Sequence, residues 1–481
     1  MGENNVNGNH GLGLFKLTAF AIGTTLASGI FSVSSDLASN GSGTLAVLIG
    51  WTIAGIGMYS LSMCFYRLSI VRPDLKSGIF SYAKEGFGDY IGFNSAWGYW
   101  VSAILSQVSF ATLLFAAVGY FIPAFGDGNN ALSIISASIL LWVFTIFILG
   151  GVQQAVTINT IIVIAKIIPI VVFIVAIILF SAFDLDIFLS NFRGQDTGLP
   201  LSTQVLETTY TTVWIFTGIE GAVVISGRAK NTAIAGRATG LSFFSLLVLY
   251  VAISVLSMGV LPRNELATLP NPGMAALLSQ AVGPWGAIVI NIGVVISIGG
   301  AMFSYTILTA DCAFAPATMK CFPKFLSQEN SKRAPITALL TTAFIVQLFL
   351  IIVYFQKSTY QVCYTLATSA IMIPFLLSAL YCLKFTINNM KYTGHPASIK
   401  IWIISILGSL YGAWLLIATG VENILISALL YGPGVFFYAW SRLENKQKLL
   451  PTALDLLTFI AIIVGFIFSV ILIGNGKISL F

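Results

Sequence analysis

Two ionisable side chains stand in the middle of long apolar runs, where a charge is costly unless a cavity or a partner receives it. Glu220 lies in Phe216-Thr-Gly-Ile-Glu-Gly221 and Lys166 in Ile164-Ala-Lys-Ile-Ile-Pro169. A carboxylate at that depth can gate a polar path or carry a proton. Equally, it can lock two helices by accepting from backbone groups that a helix break sets free. A buried ammonium has the same two uses, as a proton carrier or as a permanent partner of released carbonyls. Either way, the Lys166 ammonium sits where a monovalent cation would otherwise be held.

Two stretches could supply such breaks. Gly23-Thr-Thr-Leu-Ala-Ser-Gly-Ile-Phe31 gathers small and polar residues in the first apolar run, and Trp214-Ile-Phe-Thr-Gly-Ile-Glu220 does so about 190 residues later. Gly and Ser also suit close packing of membrane helices, so the first stretch alone is ambiguous. Lipid offers no hydrogen-bond partner, and an interrupted helix is tolerated only against a protein cavity. There, free N–H groups and the positive end of a half-helix suit a carboxylate, while free carbonyls suit an ammonium. One break in each of two corresponding halves is the pattern of an inverted-repeat secondary transporter with its site at the midplane.

Aromatic residues cluster where a cavity would use them: Trp97, Tyr99 and Trp100, then Trp214 and Phe216, then Tyr305. Core packing and interfacial belts explain any single one of these. Trp214 differs because it adjoins a break, where its face could stack on a cationic or planar group. Thr24, Trp97 and Tyr305 are secondary candidates.

The elements that must position these groups are membrane helices. The chain is 57% hydrophobic and 8% charged, against about 25% charged in a soluble domain. Apolar runs of spanning length make it an all-α integral membrane protein and exclude a β-barrel. Thirteen helices are predicted, near 12–38, 43–69, 91–122, 132–150, 156–181, 205–228, 238–261, 285–315, 336–355, 361–386, 399–419, 421–440 and 451–474. A short amphipathic piece before Tyr90 reads as re-entrant or interfacial, and the Pro-rich stretch 262–284 as a folded loop. The division is a leader at 1–11, a core at 12–386 with repeats at 12–181 and 205–386, and C-terminal helices at 387–481.

With a cytoplasmic N-terminus, all of the 23 basic residues except Arg193, Arg263, Lys357, Lys477 and the intrahelical Lys166 fall on the cytoplasmic side. That bias fits the positive-inside rule. It explains the net charge of +6 without nucleic acid. His10 and His395 lie in polar segments, and the five cysteines show no paired or ligand spacing. No metal site, cofactor or catalytic cluster is therefore expected, and the chain reads as no enzyme. The lipid bilayer and small amino acids or amines are the expected partners, and a homodimer is left open.

These motifs resemble the amino acid-polyamine-organocation superfamily, within it the basic amino acid/polyamine antiporters. Gly23 to Phe31 is similar to the family's G-S-x-I-G-S-G-I-F stretch, Trp214 to Glu220 to W-x-F-x-G-x-E, and Ser226-Gly-Arg-Ala-Lys230 to the end of helix 6 in arginine/ornithine antiporters. Gly300-Ala-Met-Phe-Ser-Tyr305, Phe322-Pro-Lys-Phe325 and Ala334-Pro335 add to the match. The resemblance implies a LeuT-type 5+5 inverted repeat with helices 1 and 6 broken. It implies that Ser28, Gly29 and Ile30 hold the substrate's carboxylate and amino group. Trp214 would stack on its side chain, and Phe216 and Gly218 would supply the helix 6 backbone. Glu220 would gate or couple protons, and Lys166 would replace a sodium site. Ala27 stands where the family has glycine, a change that would narrow the unwound region, and Val33-Ser34 stands where Leu-Pro is common.

The expected function is exchange of an external, cationic amino acid for a related amino acid or its amine, of the arginine/ornithine or histidine/histamine type. A proton-coupled uptake permease of the same fold is the alternative. Asp311 is the only other carboxylate expected near Glu220, toward the cytoplasmic end of helix 8. The expected location is the cell membrane.

Overall fold

Residues 13–75, 78–150, 155–220, 232–357 and 359–477 are described in a computed structural model of the protein. The predicted leader, the part of helix 6 beyond Glu220 and the Ser226-to-Lys230 motif lie outside them. Among the described residues the chain is helical, with no strand.

The first apolar run starts a helix that does not run through. α1 (Leu14–Thr25) ends where Leu26 turns extended, at φ −68° and ψ 92°. A 3-10 turn at Gly29–Phe31 follows, and α2 (Val33–Ser39) resumes the path. Small polar residues have little apolar surface to bury, and their hydroxyls compete for the backbone. Thr25 illustrates this, returning its hydroxyl to the Ala21 carbonyl at 2.9 Å.

α3 (Thr44–Val71) is followed by the short α4 (Ile79–Phe87), in the place predicted as a non-spanning amphipathic piece, and by α5 (Asp89–Phe121). Next come α6 (Ala131–Leu149), α7 (Ala155–Leu179) and α8 (Leu185–Ser190). α9 (Leu201–Phe216) stops at the second suspected break, and α10 (Thr232–Met258) follows. The Pro-rich loop folds into α11 (Arg263–Leu266) and α12 (Gly273–Val282). Then follow α13 (Pro284–Thr318), α14 (Ile336–Gln356), α15 (Tyr360–Ile387), the short α16 (Asn389–Thr393), α17 (Ile399–Tyr431), α18 (Gly434–Glu444) and α19 (Ala453–Gly474). Gly420, at φ 70° and ψ 165°, divides α17 where the sequence separates two helices.

Nine stretches among the described residues are long and apolar enough to cross a membrane. Together with the family membership reported below, they make this a multi-pass membrane protein. α1 and α9 fall short of spanning length because each is cut, at 12 and 16 residues.

α5 forms the axis. Its apolar window is 94% buried, against 6% for α19, and it packs on α13 and α15. The outward side chains of α19, among them Leu457, Val464 and Phe468, are exposed, as suits a surface facing lipid rather than water. Polar ties hold the C-terminal helices to α5. Asp455 accepts from the Tyr90 amide at 3.2 Å, and Arg442 pairs with Asp89 at 2.8 Å.

Candidate functional site

The two interruptions meet. A Cβ built on Gly29 would lie 2.7 Å from Ile215 Cγ1 and 2.9 Å from Trp214 Cδ1, so only glycine lets the turn approach α9 this closely. Among the described residues, no carbonyl accepts from the backbone N–H of Gly29 or Ile30. Free donors in a buried turn are what a carboxylate ligand would use.

Ser28 and Trp214 share one partner. The indole of Trp214 donates to the Tyr360 hydroxyl at 2.9 Å, and Ser28 Oγ lies 3.5 Å from the same oxygen. Trp214 also stacks on Tyr364, with ring centroids 5.6 Å apart and planes at 18°. A small cavity of ≈ 10 Å³ remains between the breaks, lined among others by Ala27, Gly29, Ile30, Phe110, Trp214 and Tyr305. That is about the space of one water molecule. The site is closed in this conformation, and an amino acid could enter only if the walls part. Ala27 belongs to the lining.

Phe216 turns away from the cavity. Its ring stacks on Phe243 at 4.9 Å and meets Trp51 and Tyr250 edge-on. It anchors the end of α9, leaving the backbone to face the break. Gly218 adopts φ 102°, a conformation that favours glycine. Its amide donates to Glu220 Oε2 at 3.1 Å, and Tyr99 donates to Oε1 at 2.8 Å. Glu220 thus closes the bend onto α5, the locking arrangement.

Lys166 lies behind α1. Its Nζ donates to the Gly23 carbonyl at 3.2 Å, one of the carbonyls at the end of α1. Pro169, one turn on, fits against Gly293, where a Cβ would come within 2.4 Å of its ring. Lys166 is 4% exposed.

Tyr305 lines the cavity and meets Phe110 edge-on at 4.9 Å. Thr24 sits in the last turn of α1, and its side chain lies outside the described residues. Trp97 does not join the group. Its indole donates to the Leu430 carbonyl at 3.0 Å, and its ring covers Gly434 and meets Phe437 at a tilt, with centroids 5.1 Å apart. It fastens the C-terminal helices to α5, because that face of α5 looks away from the breaks. Asp311 is exposed on α13. Two further carboxylates are wholly buried among the described residues, Asp36 on α2 and Asp455 at the start of α19.

The chain matches the amino acid permease family over residues 12–431. It belongs to that family. Among permease relatives it is 40% identical over 479 residues to an arginine/ornithine antiporter of Pseudomonas aeruginosa, covering 98% of each chain. It is 37% identical over 469 residues to an arginine/ornithine antiporter of Latilactobacillus sakei, covering 97% of this chain and 98% of that one. An arginine/agmatine antiporter of Chlamydia trachomatis serovar L2 is 37% identical over 444 residues, 91% of each. The resemblance read from the motifs is borne out at the level of the family.

Tyr360, Tyr364 and Asp36 escape the sequence reading, and Tyr99 enters it only as one of an aromatic cluster, without its partner Glu220. Tyrosines abound in membrane helices, and nothing in a single sequence says which of them face a break. Asp36 carried a usable signal, being a carboxylate inside the first predicted helix, two residues from its end.

Proposed function

We propose that this permease is an amino acid antiporter that exchanges an external cationic amino acid for a related amino acid or its amine. The observation that carries the reading is the meeting of two interrupted helices at Gly29 and Trp214, with free amide donors on one side and aromatic rings on the other. The names of the relatives, arginine/ornithine and arginine/agmatine antiporters, support the same substrate class.

In this reading the free Gly29 and Ile30 amides and Ser28 take the substrate carboxylate, and the Gly218 bend completes the pocket. Trp214, released from Tyr360, stacks on the cationic side chain. Lys166 holds the Gly23 carbonyl in place of a monovalent cation, and Glu220 gates the bend through Tyr99. Exchange follows if only the loaded carrier reorients readily. The N-terminus lies in the cytoplasm, thirteen helices cross the cell membrane, and helices 1–5 and 6–10 form inverted repeats. The basic residues concentrated in alternate loops support that orientation.

Ligand-dependent thermal stabilisation of the purified protein across amino acids and their amines tests the substrate class. Arginine or ornithine at about 100 times its Kd would stabilise by about 2.7 kcal/mol. Stabilisation by neutral amino acids alone would contradict the cationic assignment. Trp214→Ala should weaken binding of planar or cationic side chains, and unchanged affinity for every ligand would remove Trp214 from the site.

A further inference from the structure

Asp36 is wholly buried on α2. Its Oδ1 accepts from the side-chain amide of Gln361 at 3.0 Å. Its Oδ2 is buried and has no hydrogen-bond partner among the described residues. A carboxylate has room for about four donors, and a half-satisfied one at membrane depth is expensive.

No described basic residue compensates it. α2 packs against α9, α10, α11 and α12. Arg263 of α11, which reaches the end of α2, gives its guanidinium to the Ala38 carbonyl and to Asp196, each at 2.6 Å. Arg193 of the loop after α8 is exposed, and the remaining ionisable groups on this side include Glu207 of α9, the exposed Glu265 of α11, and Tyr360 and Tyr364 of α15.

The position gives this free oxygen a use. Gln361 follows Tyr360, the residue that closes the site by receiving Trp214 and lying against Ser28. One turn beyond Asp36, Asn40 donates to Thr211, whose hydroxyl meets that of Tyr364. These groups form a polar layer between α2, α9 and α15, joined to the cavity wall by the Tyr360–Trp214 hydrogen bond.

We propose that Asp36 is a second cation subsite, a way-station that receives the guanidinium or ammonium of the substrate side chain between the broken-helix site and the face of the membrane to which α2 leads. The free Oδ2 accepts a charge-assisted N–H bond there, while Gln361 holds Oδ1 and fixes the orientation. The proposal rests on the cationic-exchange reading and adds a place on the path.

The test uses the full chain in liposomes and reads the external concentrations of arginine and of citrulline, its uncharged isostere, that halve uptake of labelled arginine. Asp36→Asn keeps shape and the Gln361 contact while removing the charge. It should raise the arginine value by about tenfold or more and leave the citrulline value within about twofold. Asp36→Glu should restore most of the arginine preference. An unchanged arginine value, or equal rises for both compounds, overturns the subsite. Should Asp36→Asn fail to fold, Asp36→Ser is read against the same two outcomes. Failure of the wild type to take up arginine would sink the exchange reading instead, so the two failures are separable.

Discussion

Tyr99 and Glu220 stand 121 residues apart in sequence and 2.8 Å apart in space, the phenol donating to the carboxylate. The other carboxylate oxygen takes the Gly218 amide, so one side chain ties the bend after α9 to the central helix α5. Hydrogen bonds to a charged group contribute about 1.5–3 kcal/mol each. Tyr99→Phe should therefore lower the unfolding free energy by about that amount, measured by chemical denaturation in detergent. Glu220→Gln should impair turnover or its pH dependence more than folding. Normal transport by that variant between about pH 5 and 8 would make the carboxylate purely structural.

Gly29→Ala places a methyl group against Ile215 and Trp214 at under 3 Å. α1 and α9 could then no longer close on each other. The variant should insert and purify normally yet lose exchange by at least about tenfold, since overpacking of this kind costs about 1–3 kcal/mol. Wild-type exchange rates would show that the closed contact is not part of the cycle.

Lys166→Ala removes the donor to the Gly23 carbonyl. An unpaired buried carbonyl costs about 1–3 kcal/mol, so the melting temperature should fall and the yield of folded protein with it. A variant that folds normally but no longer exchanges would assign the ammonium to the transport cycle rather than to structure.

The loop between α8 and α9 carries a pH-dependent tie. Arg263, bonded to Asp196 at 2.6 Å, holds that carboxyl below its usual range. A depressed folded-state value means that the stabilisation is present above the unfolded value of about 3.9 and is lost as pH falls through the folded one. Asp196 is 44% exposed, so solvent screening keeps the effect well under about 1 kcal/mol. The melting-temperature difference between wild type and Asp196→Asn should be small at neutral pH and vanish in acid. A difference that grew on acidification would contradict the pairing.

Much of this architecture is legible in the residues. The Gly23-to-Phe31 and Trp214-to-Glu220 stretches read as interruptions because small and polar side chains cannot sustain a helix in lipid, and both helices stop there. The Pro-rich loop and the short piece before Tyr90 likewise fold as their composition suggests. What composition could not convey is pairing across the bundle. Trp97 and Trp214 look alike as letters, yet one covers Gly434 and the other faces the breaks. Which face of a long, uniformly apolar helix turns inward depends on its neighbours, and a hydropathy pattern with no polar side leaves that face unmarked. Tyr360 is missed for the same reason.

The central claim is exchange, and counterflow measures it directly. Purified protein in liposomes loaded with ornithine or arginine should take up external labelled arginine much faster than the same protein in empty liposomes, with no imposed pH gradient. Empty liposomes that fill as fast as loaded ones would contradict the account.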